Sequence, residues 1–167
     1  MLRLRPYKPC DAETIVSWIK DERSFRKWCA DCMSYPLTAE SLKEYYQKED
    51  NNPNYWTMVA FDDSGVVGQF IMRFVDEAKN YIRLGFIIVD SEKRGKGYGK
   101  EMLQLAKKYA FDVLKVDEIG LGVFENNESA YKCYQSVGFK ALDQRGNYEM
   151  FGETWTCIEM KQSRIDE

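Results

Sequence analysis

Two hydrophobic periods alternate along this chain of 167 residues, and their order divides it into elements. Near the N-terminus, Leu2-Arg3-Leu4-Arg5 alternates apolar and charged, which predicts a short strand stopped by Pro6 and Pro9. Ala12, Ile15, Val16 and Ile19 then recur at helical spacing over residues 11–20. Phe25 and Trp28 mark a further helical turn or two over residues 24–30. Thr38 is placed to cap a helix carrying Leu42, Tyr45 and Tyr46, which fades into Asp50-Asn51-Asn52-Pro53.

The middle of the chain changes period. Residues 55–61 and 66–75 read as strands around the turn Asp62-Asp63-Ser64-Gly65, a hairpin with Gly65 at the tight position. A second turn near Glu77-Ala78-Lys79-Asn80 leads into a strand over 81–89. From Leu84 to Val89 both faces are apolar apart from Gly85, the pattern of an interior strand. Gly85 marks either a bulge or a close packing contact. Further on, Tyr98, Met102, Leu105, Tyr109 and Val113 outline a long helix starting at about Gly97. Residues 117–124 form a strand with Ile119, Leu121 and Val123 on one face and Gly120 and Gly122 on the other, leaving room for a close approach. Asn127 opens a helix whose Ala130, Cys133, Tyr134 and Val137 share a side and which Gly138 ends. Two last strands follow, over about 139–142 or beyond and 154–160.

Between the interior strand and the long helix lies Arg94-Gly95-Lys96-Gly97-Tyr98-Gly99-Lys100. Glycines there let the backbone lie against a ligand, and the first N–H groups of the helix make an anion site with its dipole. Arg94, Lys96 and Lys100 add cationic charge. A P-loop is excluded, because Gly99-Lys100 is followed by Glu101 and position 94 is not glycine. A dinucleotide fingerprint is excluded as well, because Gly95-x-Gly97 requires glycine where Lys100 stands. What remains is Arg94-x-x-Gly97-x-Gly99, a cradle for a phosphorylated ligand.

Composition narrows the chemistry. The chain contains no histidine, which removes Ser-His-Asp and Cys-His nucleophile systems and histidine-containing zinc sites. Five cysteines at scattered spacing suit reduced thiols, and Cys29-x-x-Cys32 has no second pair to complete a metal site. No metal is expected. Hydrophobic content of 44% and charged content of 31% belong to an ordinary globular domain. No apolar run approaches a membrane span, and the N-terminus lacks the apolar core of a signal peptide, so a cytoplasmic protein with no membrane partner is expected. A net charge of −3 argues against nucleic acid as the main partner.

A second stretch completes the pattern: Asn127-x-x-Ala130-x-x-x-Tyr134-x-x-x-Gly138-Phe139. Following Arg94-x-x-Gly97-x-Gly99 with one helix and one strand between, it resembles the GNAT superfamily of acetyl-CoA-dependent N-acetyltransferases. Residues 11–28 also look like the branch that holds ribosomal-protein alanine, diamine and antibiotic N-acetyltransferases. The resemblance implies one α/β (α+β) domain over residues 1–167, with a mixed, mostly antiparallel sheet of about six or seven strands flanked by helices. It implies acetyl-CoA as cosubstrate, with the pyrophosphate held by Arg94, Gly95, Lys96, Gly97, Tyr98, Gly99 and Lys100. The pantetheine arm would run along Phe86, Ile87, Ile88 and Val89, with Asn127 and Ala130 on its other side. Tyr134 would stand by the thioester sulfur as general acid.

The partner is then an amine: a protein N-terminus, a polyamine, an aminoglycoside or another small amine. A lysine-like amine of pKa about 10.4 costs roughly 4–5 kcal/mol to deprotonate at pH 7, so the site calls for a base. Some relatives carry a glutamate on the strands flanking the long helix, but the corresponding positions here are Leu84, Gly85, Phe86, Gly120, Leu121 and Gly122. Asp76, Glu77 and Glu125 are the nearest carboxylates, and Glu125 is taken as the tentative base. Phe25 and Trp28 are the substrate candidates, in a cleft to which Tyr35, Trp56 and Tyr148 also contribute. A non-catalytic acyl-CoA-binding regulatory domain is the alternative, and pairing of the last strands or docking of helices offers a homodimer.

Overall fold

A seven-stranded sheet organises the computed structural model, which describes residues 1–166. Its strands are β1 (Arg3–Pro6), β2 (Tyr55–Asp62), β3 (Gly65–Phe74), β4 (Tyr81–Val89), β5 (Glu118–Phe124), β6 (Lys140–Met150) and β7 (Glu153–Ser163). They lie in the order β1-β2-β3-β4-β5-β7-β6. Every pair is antiparallel except β4–β5, whose crossover is the helix α4 (Tyr98–Lys108). The mixed, mostly antiparallel sheet that the resemblance implies is therefore present.

Alternation in the strands sends side chains into two cores. Met72, Ile82, Leu84, Ile119 and Leu121 pack under α4 and under α5 (Glu128–Val137). Val59, Ile71 and Ile88 point the other way, beneath α1 (Ala12–Ser17), α2 (Glu22–Cys29) and α3 (Ala39–Gln47). The helices begin where the capping chemistry places them. Thr38 accepts from Ser41 N–H at 3.0 Å and its own N–H donates to Ser41 Oγ at 3.0 Å. Asp21 accepts from Ser24 N–H at 2.7 Å, which starts α2 two residues earlier than the apolar pattern indicates.

Gly85 answers to both readings of it. Between Gln69 and Ile71 β3 advances two residues while β4 spans three, from Gly85 to Ile88, so one extra residue is accommodated next to Gly85. Phe86 takes the left-handed backbone there, at φ 47°. A Cβ on Gly85 would also come within 3.3 Å of Ile71. The bulge changes the parity of the strand: Leu84 belongs to the α4 core and Ile88 to the opposite one.

The apolar face of the long helix is displaced from the expected one. Met102, Leu103, Ala106, Ala110 and Phe111 are buried, Leu105 and Tyr109 pack at the margin, and Val113 is 60% exposed. At the C-terminal end the helix widens into a π-helical turn over Tyr109–Val113, where Leu114 N–H bonds Tyr109 O at 3.0 Å. The extra residue in that turn shifts the face of the residues that follow and carries Val113 to solvent. The last two strands run well beyond 142 and 160, because β6 and β7 pair from Met150↔Glu153 to Lys140↔Lys161 around a turn with Phe151 at φ 55° and Gly152 at φ 73°.

Asp11 anchors the first helix to the sheet. It is 5% exposed and accepts from Arg5 at 2.8 and 2.9 Å and from Lys8 N–H at 2.8 Å. Burial pushes its carboxyl up, but these donors together outweigh burial and leave it below the usual carboxylate range. The stabilisation is thus present above the unfolded-state pKa of about 3.9 and is lost as the pH falls through the lower folded-state value. Asp11→Asn is expected to lower the unfolding free energy at pH 7 by about 2 kcal/mol in urea titration, because Arg5 keeps its charge without a counter-ion.

Candidate active site

Pairing between β4 and β5 covers only Tyr81↔Glu118, Ile82↔Ile119 and Arg83↔Gly120. Beyond Arg83 the two strands separate, so the β4 edge from Leu84 to Val89 keeps N–H and C=O groups with no strand across from them. Cavities of about 710 and 680 Å³ lie at this wedge, and Lys27, Trp28, Gly85, Phe86, Gly122 and Val123 line both. The two glycines of β5 make room for β4 side chains. A Cβ on Gly120 would collide with the Tyr81 hydroxyl, and one on Gly122 would meet Arg83 Nη2 and Cys157 Sγ at 2.9 Å.

The first cavity holds the glycine loop at one end. Gly95 and Gly97 adopt φ 76° and 86°, and Gly97 caps α4 with its carbonyl on Glu101 N–H at 3.0 Å. The N–H groups of Tyr98, Gly99 and Lys100, in the first turn, have no intrahelical acceptor. Arg94, Gly95, Gly97, Gly99 and Lys100 line the cavity, and Lys93 joins them. Lys96 is exposed and does not line it. Neither does the Tyr98 side chain, whose hydroxyl donates to Asp62 Oδ2 at 2.9 Å. That bond ties the loop to the β2–β3 hairpin; Ser64, then Tyr98, draw the Asp62 carboxyl down to about 2.

The opposite wall comes from β4 and α5. Phe86, Ile87, Ile88, Val89, Asn127 and Ala130 line it. Asn127 occupies the cap position of α5, yet its side chain makes no capping bond. Tyr134 is 7% exposed with its ring 6.4 Å from that of Phe139. Its side chain lines the cavity, and its hydroxyl has no protein hydrogen bond among the described residues. Burial, with a smaller contribution from Cys133, lifts this phenol far above its ordinary value. A set of free backbone donors, cationic side chains and an unpaired strand edge fits a long ligand with a phosphorylated end and an amide-bearing arm.

The second cavity lies between α2, α3 and the sheet. Trp28 and Tyr45 contact Phe86, with ring centroids 5.5 and 5.7 Å away. Arg83 donates to Glu159 at 2.5 and 3.0 Å, and Arg83, Tyr148 and Cys157 line the cavity. Several sequence candidates lie elsewhere. Phe25 is fully buried against Trp28 and Tyr35 and lines neither cavity, because its ring faces the helical core. Trp56 packs with Phe74 against the α4 core. Glu125 corrects the expectation of a base: it is exposed past the end of β5 and lines neither cavity. Asp76 spends its carboxylate on the N–H groups of Asn80 and Tyr81 in a turn. Glu49, from the turns that follow α3, lines the second cavity, and Glu159 of β7 reaches its wall through Arg83, with no local signal in the sequence for either.

Comparison with known proteins accords with this geometry. A family model described as an acetyltransferase (GNAT) domain matches residues 1–140. The chain belongs to the GNAT acetyltransferase family. It is similar to the acetyltransferase PseH of Campylobacter jejuni, 31% identical over 58% of this chain and 57% of that protein. It is also similar to human N-acetylaspartate synthetase, 30% identical over 71% of this chain and 37% of that protein. The match thus spans little more than half of the first relative and less of the second. The crystal structure of a Vibrio cholerae spermidine N-acetyltransferase in complex with CoA and spermine superposes with a TM-score of 0.83 at 21% identity, over 99% of this chain and 96% of that one. At that identity the likeness is one of fold.

Proposed function

We propose that this chain transfers the acetyl group of acetyl-CoA to a primary amine by direct attack. The observation that carries the reading is the wedge beyond Arg83, where a cavity with an anion cradle meets a second cavity at Phe86 and Gly122. Acetyl-CoA supplies the activated acetyl group. Gly95 to Lys100 bind its pyrophosphate through backbone N–H groups, with Arg94, Lys93 and Lys100 balancing charge. The free edge of β4 takes the pantetheine arm as an added strand, with Asn127 and Ala130 opposite. A backbone N–H close to the Phe86 bulge stabilises the oxyanion. Tyr134 donates a hydrogen bond to the departing sulfur. Residues 1–167 form one catalytic domain, since β6 and β7, mostly beyond the matched segment, complete the same sheet. Five free thiols support a cytoplasmic setting.

At the wedge β4 and β5 carry no carboxylate and Glu159 of β7 is engaged by Arg83, so the acceptor loses its proton to solvent before attack. The rate should therefore rise with pH. Between about pH 6 and the pKa of the amine, kcat/KM is expected to increase about tenfold per unit, with the plateau near 8 for an α-amino group. Tyr134, raised by burial, stays protonated throughout and adds no descending limb below about pH 10. A flat profile from pH 6 to 7.5 would reveal an internal base instead.

Thiol release from acetyl-CoA, screened against peptide N-termini, polyamines, aminoglycosides and amino acids, tests the function itself. Release that depends on an amine supports the transferase. Tight acetyl-CoA binding with no release for any amine selects the regulatory binding domain.

A further inference from the structure

We infer that the acceptor is a primary amine that also bears a carboxylate, which Arg73 in the second cavity receives; this rests on the acetyltransferase reading above. Arg73 of β3 stands directly opposite Arg83 of β4 in the register of the sheet, and both line the second cavity. Like charges facing each other across two strands oppose folding. Arg83 is neutralised by its two bonds to Glu159. Arg73 forms no ion pair and no side-chain hydrogen bond among the described residues. The fold thus places an exposed guanidinium with no ion pair beside one that is paired, on the wall of the second cavity.

The charges around that cavity favour an anion over a polycation. Its cationic lining is Lys27, Arg73 and Arg83, its acidic lining is Glu49, and Arg83 is already paired. Glu49 accepts the Asn52 side-chain amide at 2.9 Å and makes no ion pair with Arg73. Among the lining side chains Lys27 and Arg73 then stand against the Glu49 carboxylate alone, one charge in surplus, with Asp31 acting on Cys32 and Tyr148 from outside the lining. That surplus suits a group of charge −1, and the planar fork of Arg73 suits a carboxylate. A polyamine or an aminoglycoside would bring several positive charges to the same wall, where Glu49 is the only carboxylate among the lining side chains.

Geometry sets the length of the acceptor. Gly85, at the wedge, is two residues along β4 from Arg83, which faces Arg73. Strand spacing and rise put the Arg73 and Gly85 Cα atoms about 8 Å apart. The amine therefore reaches the wedge while its acid group remains within the sweep of the Arg73 side chain. Tyr55, in register with Arg73 on its other side, provides a further polar contact.

Matched amines test this on the purified chain. Thiol release with saturating acetyl-CoA is measured for common amino acids and for their decarboxylated counterparts, lysine with cadaverine and phenylalanine with phenethylamine among them, and for spermidine. In the best pair the amino acid is expected to exceed its decarboxylated partner by about tenfold or more in kcat/KM. Arg73→Gln should erase that preference by raising KM for the acid about tenfold, leaving the decarboxylated amine within about twofold, and Arg73→Lys should restore part of it. The Tm of Arg73→Gln should be unchanged or higher, since a repulsion is removed, which separates lost recognition from lost folding. Preference for spermidine or cadaverine, or equal effects of Arg73→Gln on both members of a pair, overturns the inference alone. Release with no amine overturns the transferase reading and the inference with it.

Discussion

Tyr134→Phe is expected to lower kcat between about tenfold and a thousandfold while the Kd for acetyl-CoA stays within about twofold. The substitution deletes one oxygen and little else. Tyr134 is 7% exposed, its ring packs against Phe139, and its hydroxyl holds no protein partner among the described residues, so α5 has no reason to move. What disappears is a hydroxyl of a cavity-lining residue, the donor that the proposed reaction assigns to the departing thiolate. Because burial raises this phenol, it is a weaker acid than a free tyrosine. In the proposed reaction it would act by donating a hydrogen bond that strengthens as negative charge develops on sulfur, more than by full proton transfer in advance. Steady-state thiol release beside calorimetric titration with acetyl-CoA separates the two quantities. An unchanged kcat on a confirmed amine would remove Tyr134 from the chemistry.

Gly97→Val should weaken acetyl-CoA binding by about a hundredfold or more, with the fold retained. Gly97 has φ 86°, a backbone conformation that costs a β-branched residue more than about 1–2 kcal/mol. No heavy atom outside the adjoining residues lies within 4 Å of a Cβ built there, so the penalty is conformational and the core is not disturbed. The loop relieves the strain by abandoning that conformation, which re-aims the Tyr98, Gly99 and Lys100 N–H groups. Losing convergent donors around a diphosphate accounts for the rest of the effect. Calorimetric titration with coenzyme A, together with a thermal melt of the free variant, reads both properties. Normal affinity would mean that the pyrophosphate is held somewhere else.

Much of the ligand-binding half was legible because it is local. The bounds of β4 at Tyr81 and Val89 follow from its apolar run, and the Gly97 and Gly138 positions follow from the left-handed backbone that they supply, at φ 86° and 118°. The resemblance carried by Arg94 to Gly99 and by Asn127 to Gly138 put both walls of the first cavity in view together. The acceptor half was legible only in part. Trp28 and Tyr148 do reach the second cavity, but Phe25 satisfies the same aromatic pattern and is wholly core. Nothing local tells one aromatic from the other. Glu125 was the nearest acid in sequence, and proximity along the chain says nothing about facing the wedge.

Period and glycine placement by themselves determined the order of strands and helices, the anion cradle and the position of Tyr134, because hydrogen bonding and backbone sterics act over a few residues. Tertiary structure decided the rest. Phe86 takes φ 47° only because β3 and β4 keep different counts across their bulge, and the wedge exists only because β4 and β5 stop pairing after Arg83 and Gly120. Arg73 and Arg83 are ten residues apart in number, and Glu159 joins them from β7; only the register of the sheet makes one of these arginines paired and the other available. Charge complementarity to an acceptor is a property of residues that meet across strands, which no single stretch of the chain contains.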